Sequence, residues 1–459
     1  MRAAVTPRLK RTFEALGVPN YRRYFAGQVV SLSGNWMQTV AELWLVLSLT
    51  GSAVAVGITT ALQFTPMLFV GALGGVIADR YDKRRLLMLT QALMALPALA
   101  LFALAATGVL KPWMIFALVF ARGAVNAFDN PARQSFLVEL VGRDKLINAV
   151  GLNSALVQTA RVLGPAGAGI VIATLSVQDC FLLNGLSFGA MLWALKRMEP
   201  AELNRSEPAP RKRGQLRSAL RYVRSTPHLL IPLAMMALAG TLAYNFQVLL
   251  PLLARFSFHG GPGTYATLTS AMGAGAIVGA LATGTRKRVP PAFLSGAALV
   301  FGGALAVAAL APTLDLELIA LALTGMASVT FAASVNSALQ LGAKPAMRGR
   351  VMSLYSVVFL GSTPIGGPLM SLIAGHAGPR TSMLVGAAAA LAAGLLARIA
   401  YRRTAGGSGE AVAMPSPGGI AGEEPVVAEA AEADAPRRRA RRPRGEHSRP
   451  RPRQPSPLG

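Results

Sequence analysis

Between residues 28 and 42 five polar side chains recur at intervals that a helix stacks on one side: Gln28, Ser31, Asn35, Gln38 and Glu42. At about 100° per residue they fall within roughly 80° of one another. The surrounding sequence is apolar, so the stripe faces either neighbouring helices, as a hydrogen-bond seam of about 0.6 kcal/mol per contact, or a water-filled cavity. Five polar residues exceed what one seam needs, which favours the cavity. A carboxyl in apolar surroundings can take and release a proton, and Glu42 is the first candidate for proton coupling.

A second constellation lies at Arg122, Asn126, Asp129 and Arg133, within roughly 60° on a helical wheel. Asp129 and Arg133 are four apart and can pair, either as a structural latch or as a substrate contact. Arg122 lies deeper in its segment. A third contains Ser154, Gln158, Arg161 and Pro165, where an unpaired guanidinium in mid-membrane would be intolerable and a cationic cavity wall would suit an anionic group on a substrate. Later segments contain Thr241, Tyr244, Gln247, Thr324 and Ser328 but almost no charge. Tyr244, Phe246 and Phe331 read as packing or as an aromatic binding wall, packing being the commoner role.

The elements that hold these residues follow from composition. The 459 residues are 53% hydrophobic and 14% charged, against about 25% charged in soluble domains, and mean hydropathy is +0.46. Apolar runs near 20 residues recur, the length that crosses about 30 Å of hydrocarbon. Backbone groups in lipid must pair within the segment, so each run should be a helix. The runs fall at 24–49, 53–78, 86–107, 112–133, 147–174 and 179–197, then at 229–254, 264–285, 290–311, 316–340, 350–375 and 380–401. This is an all-α integral membrane fold of twelve helices in two pseudo-symmetric six-helix bundles, 24–197 and 229–401.

Basic residues alternate with these spans. Arg22 and Arg23 precede the first, Lys83, Arg84 and Arg85 follow the second, and Lys344, Arg348 and Arg350 follow the tenth, whereas the intervening loops are nearly bare. The pattern places both termini in the cytoplasm of a multi-pass cell-membrane protein. Residues 1–23 form a cytoplasmic segment, 198–228 a charged linker and 402–459 a tail whose composition predicts disorder. Within the linker, Leu216, Leu220 and Val223 share a face beside Arg217, Arg221 and Arg224, which suits a short helix on anionic lipid or a solvated linker. The net charge of +25 is accounted for by these loops and the tail, against the bilayer and not nucleic acid.

Other chemistries find no support. His228, His259, His376 and His447 have no paired metal spacing, Cys180 stands alone, and there is no GxxxxGK[ST] loop for ATP. No catalytic residue, metal or cofactor is expected. The halves resemble each other weakly, with Pro165 opposite Pro364 and Gly167 opposite Gly366, a parallel repeat known in transporters.

The segment GVIADRYDKRR at 75–85 resembles the signature of the major facilitator superfamily, which reads roughly G-x-L-x-D-R-x-G-R-R. Gly75, Asp79, Arg80, Arg84 and Arg85 match, and Asp82 replaces the second glycine as in the enterobactin-exporter-like branch. Residues 49–52, 127–134, 160–165 and 245–251 also fit that branch. The resemblance implies alternating access between the bundles, with Asp79 facing the N-terminal end of the eleventh span and Arg80 or Arg84 reaching Asp129 in a latch that closes the cytoplasmic side in the outward-open state. Gly164 and Pro165 look like part of an antiporter motif, a hinge that leans toward export.

The expectation is a monomeric secondary transporter, exporting an amphipathic small molecule such as a siderophore or drug against a proton gradient. The alternatives are a nutrient importer of the same fold and a non-transporting receptor or scaffold. The polar stripe at Glu42 speaks against the last, which has no need of a wet cavity.

Overall fold

The computed structural model describes residues 13–142, 144–204, 215–283 and 289–407, apart from a few side chains that include those of Asp79 and Leu216. They belong to one compact unit, Met1–Met414. Residues 1–12 and the tail from 408 lie outside the described residues.

Six long helices make the first half: α1 (Pro19–Thr50), α2 (Ala53–Arg80), α3 (Lys83–Ala106), α4 (Pro112–Val141), α5 (Leu146–Thr174) and α6 (Val177–Lys196). The linker forms α7 (Gln215–Arg224). The second half contains α8 (Pro227–Leu242), α9 (Phe246–Leu252), α10 (Pro262–Thr283), α11 (Pro291–Leu310), α12 (Leu314–Gly342), α13 (Pro345–Gly361), α14 (Thr363–Ala377) and α15 (Pro379–Gly407). With α8–α9 and α13–α14 each taken as one broken span, these make twelve crossings. Among the described residues nine stretches qualify as spans on length and apolarity alone. The three that do not are α1, α4 and α6, which bear the buried Gln38 and Glu42, Arg122 and Asp129, and Asn184. Polar load lowers their hydropathy, and burial against one another lets them cross.

Turn chemistry sets the boundaries. Gly51 ends α1 with φ at 62°, a left-handed conformation that glycine adopts without a Cβ penalty. Asp82 caps α3 by accepting from the Arg85 N–H at 2.9 Å, a task for which a short carboxylate is suited and glycine is not.

Two spans expected to be continuous are broken. The seventh opens at 243–245, and the Asn245 amide donates 2.7 Å to the freed Thr241 carbonyl. Non-helical backbone at such depth survives when it is satisfied internally or lines a cavity. The eleventh breaks at Ser362, just before Pro364, which lacks the N–H to continue the ladder; the Ser362 hydroxyl donates 2.8 Å to the Phe359 carbonyl. The expected opposition of Pro165 and Pro364 is therefore unequal, because α5 runs unbroken through Pro165.

The halves meet where α2 packs on α14 and α5 on α10. A Cβ at Gly57 would lie 2.0 Å from the Ser371 hydroxyl and 2.9 Å from the Gly367 carbonyl, so only glycine allows this approach. Gly57 sits in the second turn of α2 and Ser371 in the latter half of α14, so this contact closes the end of the molecule bearing the 51–52 and 378 loops. Helix α7 packs on α13 and α8, with Ala219 and Val223 fully buried and Leu220 exposed. Its buried face is thus turned to protein, while Arg221 and Arg224 remain exposed.

Candidate functional site: a cleft between the halves

A cleft of two joined chambers lies between the halves. The first, about 680 Å³, is lined mainly by α1, α2, α4 and α5 and reaches from Arg122 and Thr39 to Tyr24, Arg133 and Leu146. The second, about 630 Å³, is lined by Arg161, Gln158, Tyr244, Phe246, Tyr265 and Tyr355, among others. Trp36, Thr39, Phe64 and Gln247 border both. The lining extends toward the ends of α1 and α12 that lie opposite the Gly57 contact.

Beside the first chamber is a buried chain of hydrogen bonds. The Arg122 guanidinium meets Glu42 Oε2 at 2.5 Å, and the Gln38 amide donates to Glu42 Oε1 at 2.6 Å. Asn184 donates to Gln38 Oε1 at 2.5 Å, and the Ser187 hydroxyl lies 2.7 Å from the Asn184 backbone carbonyl and 2.9 Å from Asn184 Oδ1. Gln38 and Arg122 thus each donate to one oxygen of the carboxylate, and Asn184 in turn holds the Gln38 amide in place. Glu42 is 1% exposed and Gln38 0%, while Arg122 borders the cavity. The carboxylate is therefore one guanidinium away from whatever occupies the cleft.

The polar stripe of α1 divides among three roles. Gln28 and Asn35 line the first chamber, and Gln28 also donates 2.7 Å to the Tyr24 hydroxyl. Gln38 and Glu42 belong to the buried chain. Ser31 donates 3.3 Å to Gln91, which in turn donates 2.9 Å to Asp129. Seam and cavity thus occur together on one helix face.

Asp129 is fully engaged. It accepts from Thr90 at 2.6 Å and from Gln91, and Arg133 grips its other oxygen with Nε at 3.0 Å and Nη2 at 2.5 Å. Arg84 lies elsewhere in this structure. Arg84 donates instead to the carbonyls of Leu195 and Lys196 at 2.8 and 3.1 Å, closing the C-terminus of α6 where a cation is favoured. Lys83 pairs with Glu139 at 2.5 Å. Gly75 is buried in α2, Arg80 and Arg85 are exposed, and the Asp79 side chain lies outside the described residues.

At the expected hinge, Gly164 makes a close approach to α1. A Cβ at Gly164 would come 2.3 Å from the Trp36 Cβ, so the glycine seats α5 on α1. Arg161, three residues earlier, has no carboxylate partner among the described residues; its guanidinium stacks 5.0 Å from the centre of the Trp36 ring. Asn126 lines the first chamber, and Gln247 borders both. Tyr244 lines the second chamber while its hydroxyl donates to the Ser328 carbonyl. Its ring packs with Phe246, Phe301 and Phe359. Phe331 is fully buried against Phe301 and is packing only.

Sequence reasoning missed Gln91, Asn184, Trp36 and the carboxylates Glu139 and Glu317. The signal for Gln91 and Asn184 was present: each is an amide within a long apolar span, costly there unless a partner is supplied. Glu317, in the first turn of α12, is fully buried with neither oxygen hydrogen-bonded.

Two helical halves, a cleft between them and buried ionisable residues beside it define a membrane transporter. The sequence profile of the transmembrane secretion effector family matches residues 11–421, and the chain belongs to that family, within the major facilitator superfamily. It is 24% identical over 363 residues to macrolide efflux protein A of Streptococcus pyogenes, covering 77% of this chain and 89% of that one. It is 29% identical over 167 residues to the staphyloferrin A transporter of Staphylococcus aureus, where the match spans 36% of this chain and 42% of that one. Among solved structures it is similar to a bacterial homologue of the human lysosomal transporter Spinster in an inward-facing, unoccupied conformation. The TM-score is 0.66 at 14% identity, over 84% of this chain and 98% of that one.

Proposed function

We propose that the chain is an exporter that carries an amphipathic small molecule out of the cell in exchange for protons, by alternating access of the cleft. The observation that carries this reading is the Glu42–Arg122 pair at the cavity wall. A proton arriving on Glu42 removes the charge that holds Arg122, so proton and cleft occupant act on one guanidinium. The energy source is the proton gradient and no cofactor is required.

Sidedness follows from charge. Basic residues cluster at the ends where α1 starts and where α2 and α12 finish, which supports a cytoplasmic position for those ends and both termini. The cleft then opens to the cytoplasm and the Gly57 contact closes the outer side, the state in which an exporter loads. Efflux by the macrolide relative supports this direction. A cleft lined within one chain supports a monomer as the working unit.

The test uses everted membrane vesicles loaded acidic inside and given a panel that includes a macrolide and staphyloferrin A. Gradient-dependent accumulation of a panel compound, abolished by a protonophore, is the expected result. Accumulation indifferent to the gradient would remove the coupling, and uptake only in right-side-out vesicles would favour an importer.

A further inference from the structure

Among the described residues, the charges that line the cleft are paired with one exception. Arg122 is neutralised by Glu42 and Arg133 by Asp129. Arg161 borders the second chamber, and no other charged residue lines that chamber among the described residues. Its Nε is buried without a hydrogen-bond partner. A guanidinium in low dielectric is costly unless a counter-ion arrives, and the Trp36 face offsets only part of that cost.

We infer that the second chamber recognises a carboxylate on an amphipathic, aromatic or apolar substrate, with Arg161 as its counter-ion. This rests on the transporter reading and narrows its substrate. A planar guanidinium 5.0 Å from the indole centre can meet a carboxylate through two parallel N–H donors. Gln158 lines the same chamber one turn earlier on α5, and Gln247 and Asn336 supply further amides at the wall. The rest of the wall suits an apolar body: Tyr244, Phe246, Met272 and Phe359 line it, and no carboxylate does. A cationic substrate meets an uncompensated positive charge here, so the same residue rejects what it does not select.

The test measures binding of tritiated 1-naphthylacetate and its uncharged analogue 1-naphthylacetamide. The full chain is held in phosphatidylcholine nanodiscs at pH 7.5, so no anionic lipid competes. The carboxylate is expected to bind at least about tenfold more tightly than the amide, the size of a charge-assisted hydrogen bond. Arg161→Gln should bring the two within about twofold by weakening the carboxylate alone, and Arg161→Lys should keep part of the gap. Equal binding of the two probes, no saturable carboxylate binding, or a gap that survives in Arg161→Gln overturns the inference. The wild-type comparison decides the matter even if a variant fails to fold. The assay uses no gradient, so failure of export or of proton coupling is read separately in the vesicles.

Discussion

Arg122 on α4 and Glu42 on α1 form a buried ion pair 2.5 Å long, in which the arginine borders the cleft and the carboxylate stands behind it. Removing one member strands the other. Arg122→Gln should lower stability by about 3–5 kcal/mol, because an uncompensated charge remains buried. The double variant Glu42→Gln/Arg122→Gln should recover much of that loss. Thermal unfolding of the detergent-solubilised single and double variants measures the coupling; additive losses would show that the two residues do not interact.

Gly57 admits a close approach between the halves. Gly57→Leu should prevent closure of that end and arrest transport while the protein remains in the membrane. Its effect is readable with Thr60→Cys, at the wall of the second chamber, because Cys180 is buried and gives little background. Labelling from the outer side should rise several-fold. Unchanged labelling together with normal transport would mean that closure tolerates the bulk.

Arg84 closes the C-terminus of α6, so Arg84→Ala should cost about 1–3 kcal/mol for two lost charge-assisted bonds and leave substrate affinity intact. The resemblance assigns Asp79 a different role, and Asp79→Asn should slow cycling without weakening binding. Equilibrium binding and transport rate, measured on both variants, separate the two. Weakened binding in Asp79→Asn with a normal rate would contradict the latch assignment.

Much of the architecture was legible in the sequence because bilayer thickness imposes a length on every crossing and basic loops mark one side. The stripe from Gln28 to Glu42 was legible for the same reason: a polar face in an apolar helix has few places to go. Its partners were not. Glu42 and Arg122 are 80 residues apart, and no periodicity within one helix reports which face of another it meets. The breaks at 243–245 and Ser362 were hidden because apolar composition continues through them, with only Pro364 and Asn245 as local signs. The partners that α3 gives Asp129, Thr90 and Gln91, were not legible either, since they lie on a different helix. The packing of Gly164 was not legible because it depends on Trp36, a residue on another helix.

The account turns on Glu42 as the group that links protons to movement of the cleft, and one comparison tests it most directly. Glu42→Gln in proteoliposomes is assayed twice with the compound found in the vesicle panel: for accumulation driven by a pH gradient, and for exchange of labelled against unlabelled compound without any gradient. The prediction is that gradient-driven accumulation is lost while exchange continues near the wild-type rate. Accumulation that persists in Glu42→Gln with its pH dependence unchanged would contradict it.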